Sequence, residues 1–271
     1  MVRRGIEGYS ESMRNNVARH KLFIRQPLIN GWCSIPCAYA AEIMAHQGYD
    51  CLTIDLQHGA MSYETAFAML QAISTTETVP LARVPWHDPG LMMKLLDAGA
   101  YGLICPMVNS AADAETFVAA CRYPPRGTRS FGPNRATLYS RAGSSAAYSA
   151  GADSEILLLA QIETRESLDN LEAILSVPGL DGIYVGPGDL SLALGAAPSM
   201  APSDPTVVAA IASTLAAAQR HQRFAAIHTD GPATAAKRFS EGFGMCTMQN
   251  DARLLSDGAK AQVTALKKAL A

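Results

Sequence analysis

The chain has 271 residues and a formal net charge of -2, so no global field favours nucleic acid or an anionic membrane surface as partner. Hydrophobic residues make up 49 % and charged residues 17 %, which allows a sizeable core and excludes a disordered chain. Residues Met1 to Glu11 lack an apolar stretch of signal-peptide type and no run reaches membrane-spanning length, so a soluble, cytoplasmic protein is expected.

Ser10 to His20 reads as a short amphipathic lead-in helix. After Pro27 comes the first extended apolar run, Leu28–Cys33, then a helix-period stretch from Ala38 to His46 that stops at Gly48, a usual left-handed helix end. Cys51–Asp55 is the second strand, and Ser62-Tyr63-Glu64 opens a helix running to about Ser74. Pro80–Val84 is the third strand, with a helix from Pro89 to Ala98 before Gly99; Gly102–Cys105 is the fourth, with a helix from Ser110 to Cys121. Each unit repeats the order strand, polar strand-end loop, helix.

From Arg122 to Asp153 the rhythm breaks, and this segment reads as a long loop with at most one short helix. Its arginines Arg122, Arg126, Arg129, Arg135 and Arg141 either meet an anionic substrate or are solvated or intersubunit side chains, the latter being favoured. The repeat resumes with a fifth strand, Ile156–Gln161, and a helix from Glu166 to Leu175. The sixth strand ends at Val185, and a helix near Pro205–His221 follows a Pro/Ala-rich loop. Arg223–Ile227 and Gly244–Met248 are the last strands, with helices at Pro232–Ser240 and about Asp251–Ala269.

Eight successive β-α units predict a single (β/α)₈ TIM barrel over residues 1–271. The doubly wound alternative needs a Gly-x-Gly-x-x-Gly turn after the first strand, and none is present. The six cysteines form no Cys-x-x-Cys pair, and Cys51, Cys105 and Cys246 lie in or beside strand-like runs, so buried reduced thiols are expected.

In a barrel of this kind catalytic groups stand at the C-terminal strand ends. Those positions hold Asp55-Leu56-Gln57-His58, Arg83, Gln161-Ile162-Glu163 and Gly186-Pro187-Gly188-Asp189. Glu163 and Asp189, delivered to one edge by two parallel strands, make a natural divalent-metal pair, although a lone carboxylate after a strand is more often a helix cap or solvated. The set suits enolate chemistry on a 2-oxo acid: a metal chelated by the substrate's carboxylate and keto oxygens, Arg83 as a second positive charge, and His58 to pass the proton. Backbone N–H groups of Gly188 and Asp189 are placed to take the substrate carboxylate. Arg83 has a structural alternative as partner of Asp55, and His58 one as a loop histidine. No lysine ends a strand, which argues against a Schiff-base route.

The stretches Asp55-Leu-Gln-His58-Gly, Leu81-Ala-Arg83-Val-Pro-Trp86, Leu95-Leu-Asp97-Ala-Gly99, Pro106-Met-Val, Arg122-Tyr-Pro-Pro-Arg-Gly127, Gln161-Ile-Glu163-Thr and Gly186-Pro-Gly-Asp189-Leu-Ser191 resemble the class II pyruvate aldolases of the 4-hydroxy-2-oxoheptanedioate and 2-keto-3-deoxyglucarate aldolase type, relatives of macrophomate synthase. The resemblance runs from about Trp32 to about Leu255. It implies Glu163 and Asp189 as ligands of Mg²⁺, Mn²⁺ or Co²⁺, Gln161 beside them, Arg83 on the keto oxygen and His58 as acid/base. It further implies that Asp97 orients that histidine, that Trp32 and Trp86 line the pocket unless they are core, and that the protein is a homo-oligomer, a trimer or hexamer. Pyruvate and an aldehyde are the implied partners. Oxaloacetate decarboxylation or macrophomate-type carbon–carbon bond formation is the alternative, and a non-catalytic binding barrel the second alternative.

Two departures stand out. Gln57 occupies a position where many members carry Glu, and Asp55 and Gln57 are read as supporting the site rather than ligating the metal. His228, just after the seventh strand, is either a specificity residue or a polar loop residue.

Overall fold

The computed structural model describes residues 13–271. The chain enters through α1 (Val17–Phe23), capped by the Asn16 side chain on the Arg19 N–H. Within the described residues the lead-in helix is Val17–Phe23; the start expected at Ser10 falls on residues 10–12, which lie outside the described residues. Eight strands follow: β1 (Leu28–Cys33), β2 (Cys51–Asp55), β3 (Val79–Arg83), β4 (Gly102–Cys105), β5 (Leu157–Ile162), β6 (Gly182–Val185), β7 (Phe224–His228) and β8 (Met245–Asn250). They pair in sequence order, all parallel, and β8 closes on β1. This is the (β/α)₈ barrel.

The crossover helices include α2 (Ala38–Ala45), α3 (Tyr63–Ile73), α4 (Pro89–Asp97) and α5 (Ala111–Cys121). Their starts follow local chemistry: Ser62 caps α3, Asp88 caps α4 ahead of Pro89, and Ser110 with Asp113 forms a capping box on α5.

The segment expected to be a long loop carries two helices, α6 (Asn134–Ser140) and α7 (Ser145–Glu155). α7 is built mostly of small and polar residues, and the large apolar side chains of α6, Leu138 and Tyr139, are adjacent rather than at helical spacing, so neither shows an apolar stripe. They are docked by buried side chains such as Tyr139, Tyr148 and Ala152. Of the five arginines of this segment, Arg126 and Arg141 are exposed, as expected of solvated side chains, whereas the other three are taken up inside the protein. Arg122 donates to the carbonyls of Ile156 and Gly179 and pairs with Asp181, while Arg129 is buried against Asp97 and Tyr148. Arg135 donates to the Ala98 carbonyl and to Ser74. These three are internal clamps that satisfy otherwise unpaired carbonyls.

The remaining helices are the short pair α8 (Arg165–Asp169) and α9 (Leu171–Leu175), α10 (Pro187–Ala193), α11 (Pro205–Arg220), α12 (Pro232–Glu241) and α13 (Asp251–Leu270). Asp251 is the one buried residue of α13, and Leu255, Val263 and Leu266 on that helix are exposed. No helix among the described residues is long and apolar enough to cross a membrane.

Two apolar layers result. One fills the space between sheet and helices. The other fills the barrel lumen with Leu28, Cys51, Val79, Leu81, Leu157, Leu159, Tyr184, Ala226 and Met245, closed from below by Ala18 and Leu22 of α1. All six cysteines are free, and all but Cys37 are buried.

Candidate active site

Side chains alternate along a strand, so each lumen-facing series continues to the barrel mouth at every second residue. Val79 and Leu81 lead to Arg83; Leu157 and Leu159 lead to Gln161 and then Glu163. Cys51 and Thr53 lead to Asp55, Leu28 and Asn30 to Trp32, and Ala226 to His228. Strand parity alone converges these groups on one end of the barrel.

Asp55 and Arg83 are register partners at the ends of β2 and β3. Arg83 Nε donates to Asp55 Oδ1 at 2.9 Å and Nη2 to Oδ2 at 2.7 Å. The indole N–H of Trp32 adds a third bond to Oδ2 at 3.1 Å, and the backbone N–H groups of Gln57 and His58 approach Oδ1 at 3.0 and 3.3 Å. Burial raises the Asp55 carboxyl, but Arg83 and these donors outweigh it and hold it below the usual carboxylate range. The guanidinium lies 4.8 Å over the Trp32 ring. With Nε and Nη2 committed, Nη1 has no protein partner among the described residues and remains a donor for a ligand. Trp32, expected to line the pocket, is only 2 % exposed and acts as the floor under Arg83. Trp86 is exposed and stacks on His87.

Glu163 lies just past β5, buried, with Oε1 accepting from the Met107 N–H at 2.8 Å and Oε2 from Gln161 Nε2 at 2.5 Å. Burial pushes its carboxyl up, the negative charge of Asp189 adds to this, and Met107, Gln161 and Arg83 oppose it. Asp189 stands exposed in the first turn of α10. Gly186 makes room for the pair: a Cβ there would come within 2.7 Å of Glu163 Oε2 and 2.8 Å of Gln161 Nε2. No side chain caps α10, so the N–H groups of Gly188 and Asp189 have no intrahelical partner.

These residues fit a hard divalent cation. Two neighbouring carboxylates concentrate negative charge, and the buried Oε1 of Gln161 is an oxygen acceptor with no partner. Among the described residues no three His, Cys, Asp or Glu side chains gather as a metal cluster. A cation held by two carboxylates keeps positions for water and substrate oxygens, the habit of magnesium rather than of a closed structural zinc site.

His58 is exposed on the turn after β2, and its imidazole makes no hydrogen bond among the described residues. Gln57 Oε1 is buried without a partner. Asp97, implied as the carboxylate that orients His58, is not brought to it. It ends α4, and barrel helices run back from the strand C-termini, so it lies at the opposite end from His58. Four residues on, the Tyr101 carbonyl bonds Asn16 beside α1, below the barrel. Asp97 Oδ1 instead accepts from Arg129 Nη2 at 2.6 Å.

Sequence reasoning missed the Met107 N–H, the Gly186 cradle and a buried polar chain beneath the mouth. His228 ends β7 instead of lying in a loop. Its Nδ1 is 3.0 Å from Tyr184 Oη, which donates to Thr247 Oγ1 at 2.8 Å. The one available signal was strand parity, which places Tyr184, His228 and Thr247 inward.

The family model described as HpcH/HpaI aldolase/citrate lyase matches residues 31–241. A hydroxypyruvate/pyruvate aldolase of Rhizorhabdus wittichii is 42 % identical over 245 residues, covering 90 % of this chain and 96 % of the relative. A 4-hydroxy-2-oxo-heptane-1,7-dioate aldolase of Salmonella dublin is 36 % identical over 248 residues, covering 91 % and 92 %. Among solved structures, an HpcH/HpaI aldolase/citrate lyase family protein from Burkholderia cenocepacia superposes with a TM-score of 0.86 at 29 % identity, over 93 % of this chain and all of that one.

Proposed function

The chain belongs to the HpcH/HpaI aldolase/citrate lyase family, and from that premise we propose how its own residues divide the work of cleavage. It is a pyruvate aldolase, a carbon–carbon lyase that splits 4-hydroxy-2-oxo acids into pyruvate and an aldehyde. Glu163 and Asp189 hold a divalent cation such as Mg²⁺, Mn²⁺ or Co²⁺, which when bound supplies Lewis-acid polarisation of the 2-oxo group. Arg83 directs Nη1 at the same oxygen, where negative charge develops as the C3–C4 bond breaks. Asp55 and Trp32 keep that guanidinium in place. The N–H groups of Gly188 and Asp189 bind the substrate carboxylate, as unpaired donors at a helix start do. His58 takes the proton of the 4-hydroxyl, directly or through water, and a proton returned to C3 completes pyruvate.

The observation that carries this reading is the setting of Glu163: buried at the end of the lumen-facing series of β5 and held by the Met107 N–H and Gln161, it lies near enough to Asp189 and Arg83 for both charges to act on its carboxyl. A carboxylate pair and a guanidinium with a free edge therefore stand at the same end of the barrel. The test is pyruvate release from a panel of 4-hydroxy-2-oxo acids and oxaloacetate, with and without EDTA. Activity should vanish with chelator and return with Mg²⁺, Mn²⁺ or Co²⁺. Full activity in Glu163→Ala would sink the assignment.

Self-association is part of the same proposal. An α13 of 20 residues that buries a single side chain and exposes Leu255, Val263 and Leu266 has an apolar face suited to a second copy. Only from another copy could Asp97 approach a His58. Light scattering on the intact protein tests this, and a monomer at micromolar concentration would exclude it.

A further inference from the structure

We propose that His228 sets substrate preference: its Nε2 offers a lone pair at the barrel mouth to a substrate hydroxyl, so hydroxylated partners are favoured over their deoxy counterparts. The inference rests on the aldolase reading above and deepens it by naming a substrate class.

The direction of the hydrogen bonds decides what His228 can offer. Deep in the lumen, the Asn30 amide satisfies its neighbours when Nδ2 donates to the carbonyls of Gly31 and Cys51, at 3.1 and 3.2 Å, and Oδ1 accepts from Thr247 Oγ1 at 2.8 Å. The Thr247 hydroxyl proton is then spent on Asn30, and Thr247 Oγ1 accepts the phenolic proton of Tyr184. A tyrosine has one proton to give. The remaining contact, 3.0 Å between Tyr184 Oη and His228 Nδ1, therefore needs its proton on the histidine. A neutral imidazole with the proton on Nδ1 is an acceptor at Nε2.

The surroundings keep the ring neutral. Burial and the positive charge of Arg83 bring His228 down to about 4, against the pull of Asp55. Its edge packs on Trp32 with centroids 5.0 Å apart, and Trp32 is the ring that carries Arg83, so His228 borders the proposed substrate pocket. The two ring nitrogens face different ways. With Nδ1 committed to the buried Tyr184, Nε2 points elsewhere, and it has no partner among the described residues. His228 is the last residue of β7 and only partly buried, which sets it at the mouth rather than deep in the lumen. A carboxylate or a bare carbonyl, each only an acceptor, finds no donor there; an O–H group does.

The hydroxyl has two sources, the aldehyde or the 2-oxo acid, and the experiment separates them. Aldol addition is measured as kcat/KM for pyruvate or hydroxypyruvate with glycolaldehyde or acetaldehyde, in wild type, His228→Phe and Tyr184→Phe. Phenylalanine keeps a ring against Trp32 but removes the acceptor. The hydroxylated-to-deoxy ratio should fall roughly three- to tenfold in His228→Phe, the size of one lost hydrogen bond, along the arm whose hydroxyl meets Nε2. Tyr184→Phe should lower the same ratio, because the tautomer is no longer held. A ratio unchanged in His228→Phe, with all four pairs altered alike, overturns the role of His228 alone. A wild type that turns over none of the four pairs overturns the aldolase reading as well. Independently of turnover, long-range ¹⁵N–¹H correlation spectra of the wild type should show His228 protonated on Nδ1; a proton on Nε2 refutes the acceptor assignment.

Discussion

Arg83 and Asp55 face each other across the ends of β3 and β2 and are joined by two side-chain bonds of 2.9 and 2.7 Å. The fork geometry fixes the guanidinium plane and leaves Nη1 for the ligand. Removing the carboxylate strands a buried positive charge, which costs about 3–5 kcal/mol in comparable buried pairs. Asp55→Ala is therefore expected to lose stability of that order and, through misplacement of Arg83, roughly 10²-fold in kcat/KM. Denaturant unfolding beside steady-state kinetics checks both. Asp55→Asn, which retains an acceptor, should fall between Asp55→Ala and wild type.

The same pair shapes the acid limb of stability. The Asp55 carboxyl is depressed in the folded state, since Arg83 outweighs burial, while an unfolded aspartate sits near ~3.9. A depressed carboxylate contributes stability that is present above the unfolded value and lost as pH falls through the folded one. The Tm gap between wild type and Asp55→Asn should thus be widest at neutral pH and shrink below about pH 4. A gap that stays constant down to pH 2 would remove the ion pair from the account.

The barrel was legible because its strands are short, apolar and separated by helix-period stretches. Runs such as Cys51–Asp55 and Ile156–Gln161 differ from β2 and β5 by at most one residue at either end. Glu163, Asp189, Arg83 and Asp55 were legible as polar residues ending those runs. What stayed hidden depends on contacts distant in sequence. Nothing local tells that Tyr184 meets Thr247 and His228, or that Arg129 reaches Asp97. The sequence offers room for one short helix where α6 and α7 stand, because α7 is mostly Ala, Ser and Gly and α6 sets its only large apolar residues side by side, so neither carries an amphipathic signal. Tertiary clamps such as Arg135 on Ala98 and Ser74 hold that region in place.

Arg129 and Asp97 provide the next prediction, since their pair locks the loop after α5, and through Tyr148 also α7, to the end of α4. The Arg129 side chain is fully buried and donates to Asp97 and to the Tyr148 hydroxyl. Asp97→Ala leaves that guanidinium uncompensated, with an expected loss of about 3–5 kcal/mol. The double change Asp97→Ala with Arg129→Met should recover part of it, because an apolar side chain removes the stranded charge. A double-mutant cycle in urea measures the coupling, and values near zero would show that the pair contributes nothing to docking α7.

Gly186 separates fold from cation binding most cleanly. Its φ is not in the left-handed region, so alanine is tolerated by the backbone, and the whole effect lies in space. A Cβ would stand 2.7 Å from Glu163 Oε2 and 2.8 Å from Gln161 Nε2, so both side chains must move. Glu163 cannot move far without losing the Met107 N–H that holds its other oxygen. Gly186→Ala should therefore leave the circular dichroism spectrum intact while weakening Mn²⁺ binding, titrated by electron paramagnetic resonance, about 10- to 100-fold, the range seen when groups that position metal ligands are disturbed. Gly188→Ala is the control. Its Cβ meets only the flexible end of Met200 at 3.3 Å, which can swing aside, so Mn²⁺ affinity should stay near that of the wild type. Equal loss in both variants would mean that the cation does not depend on where Glu163 is held.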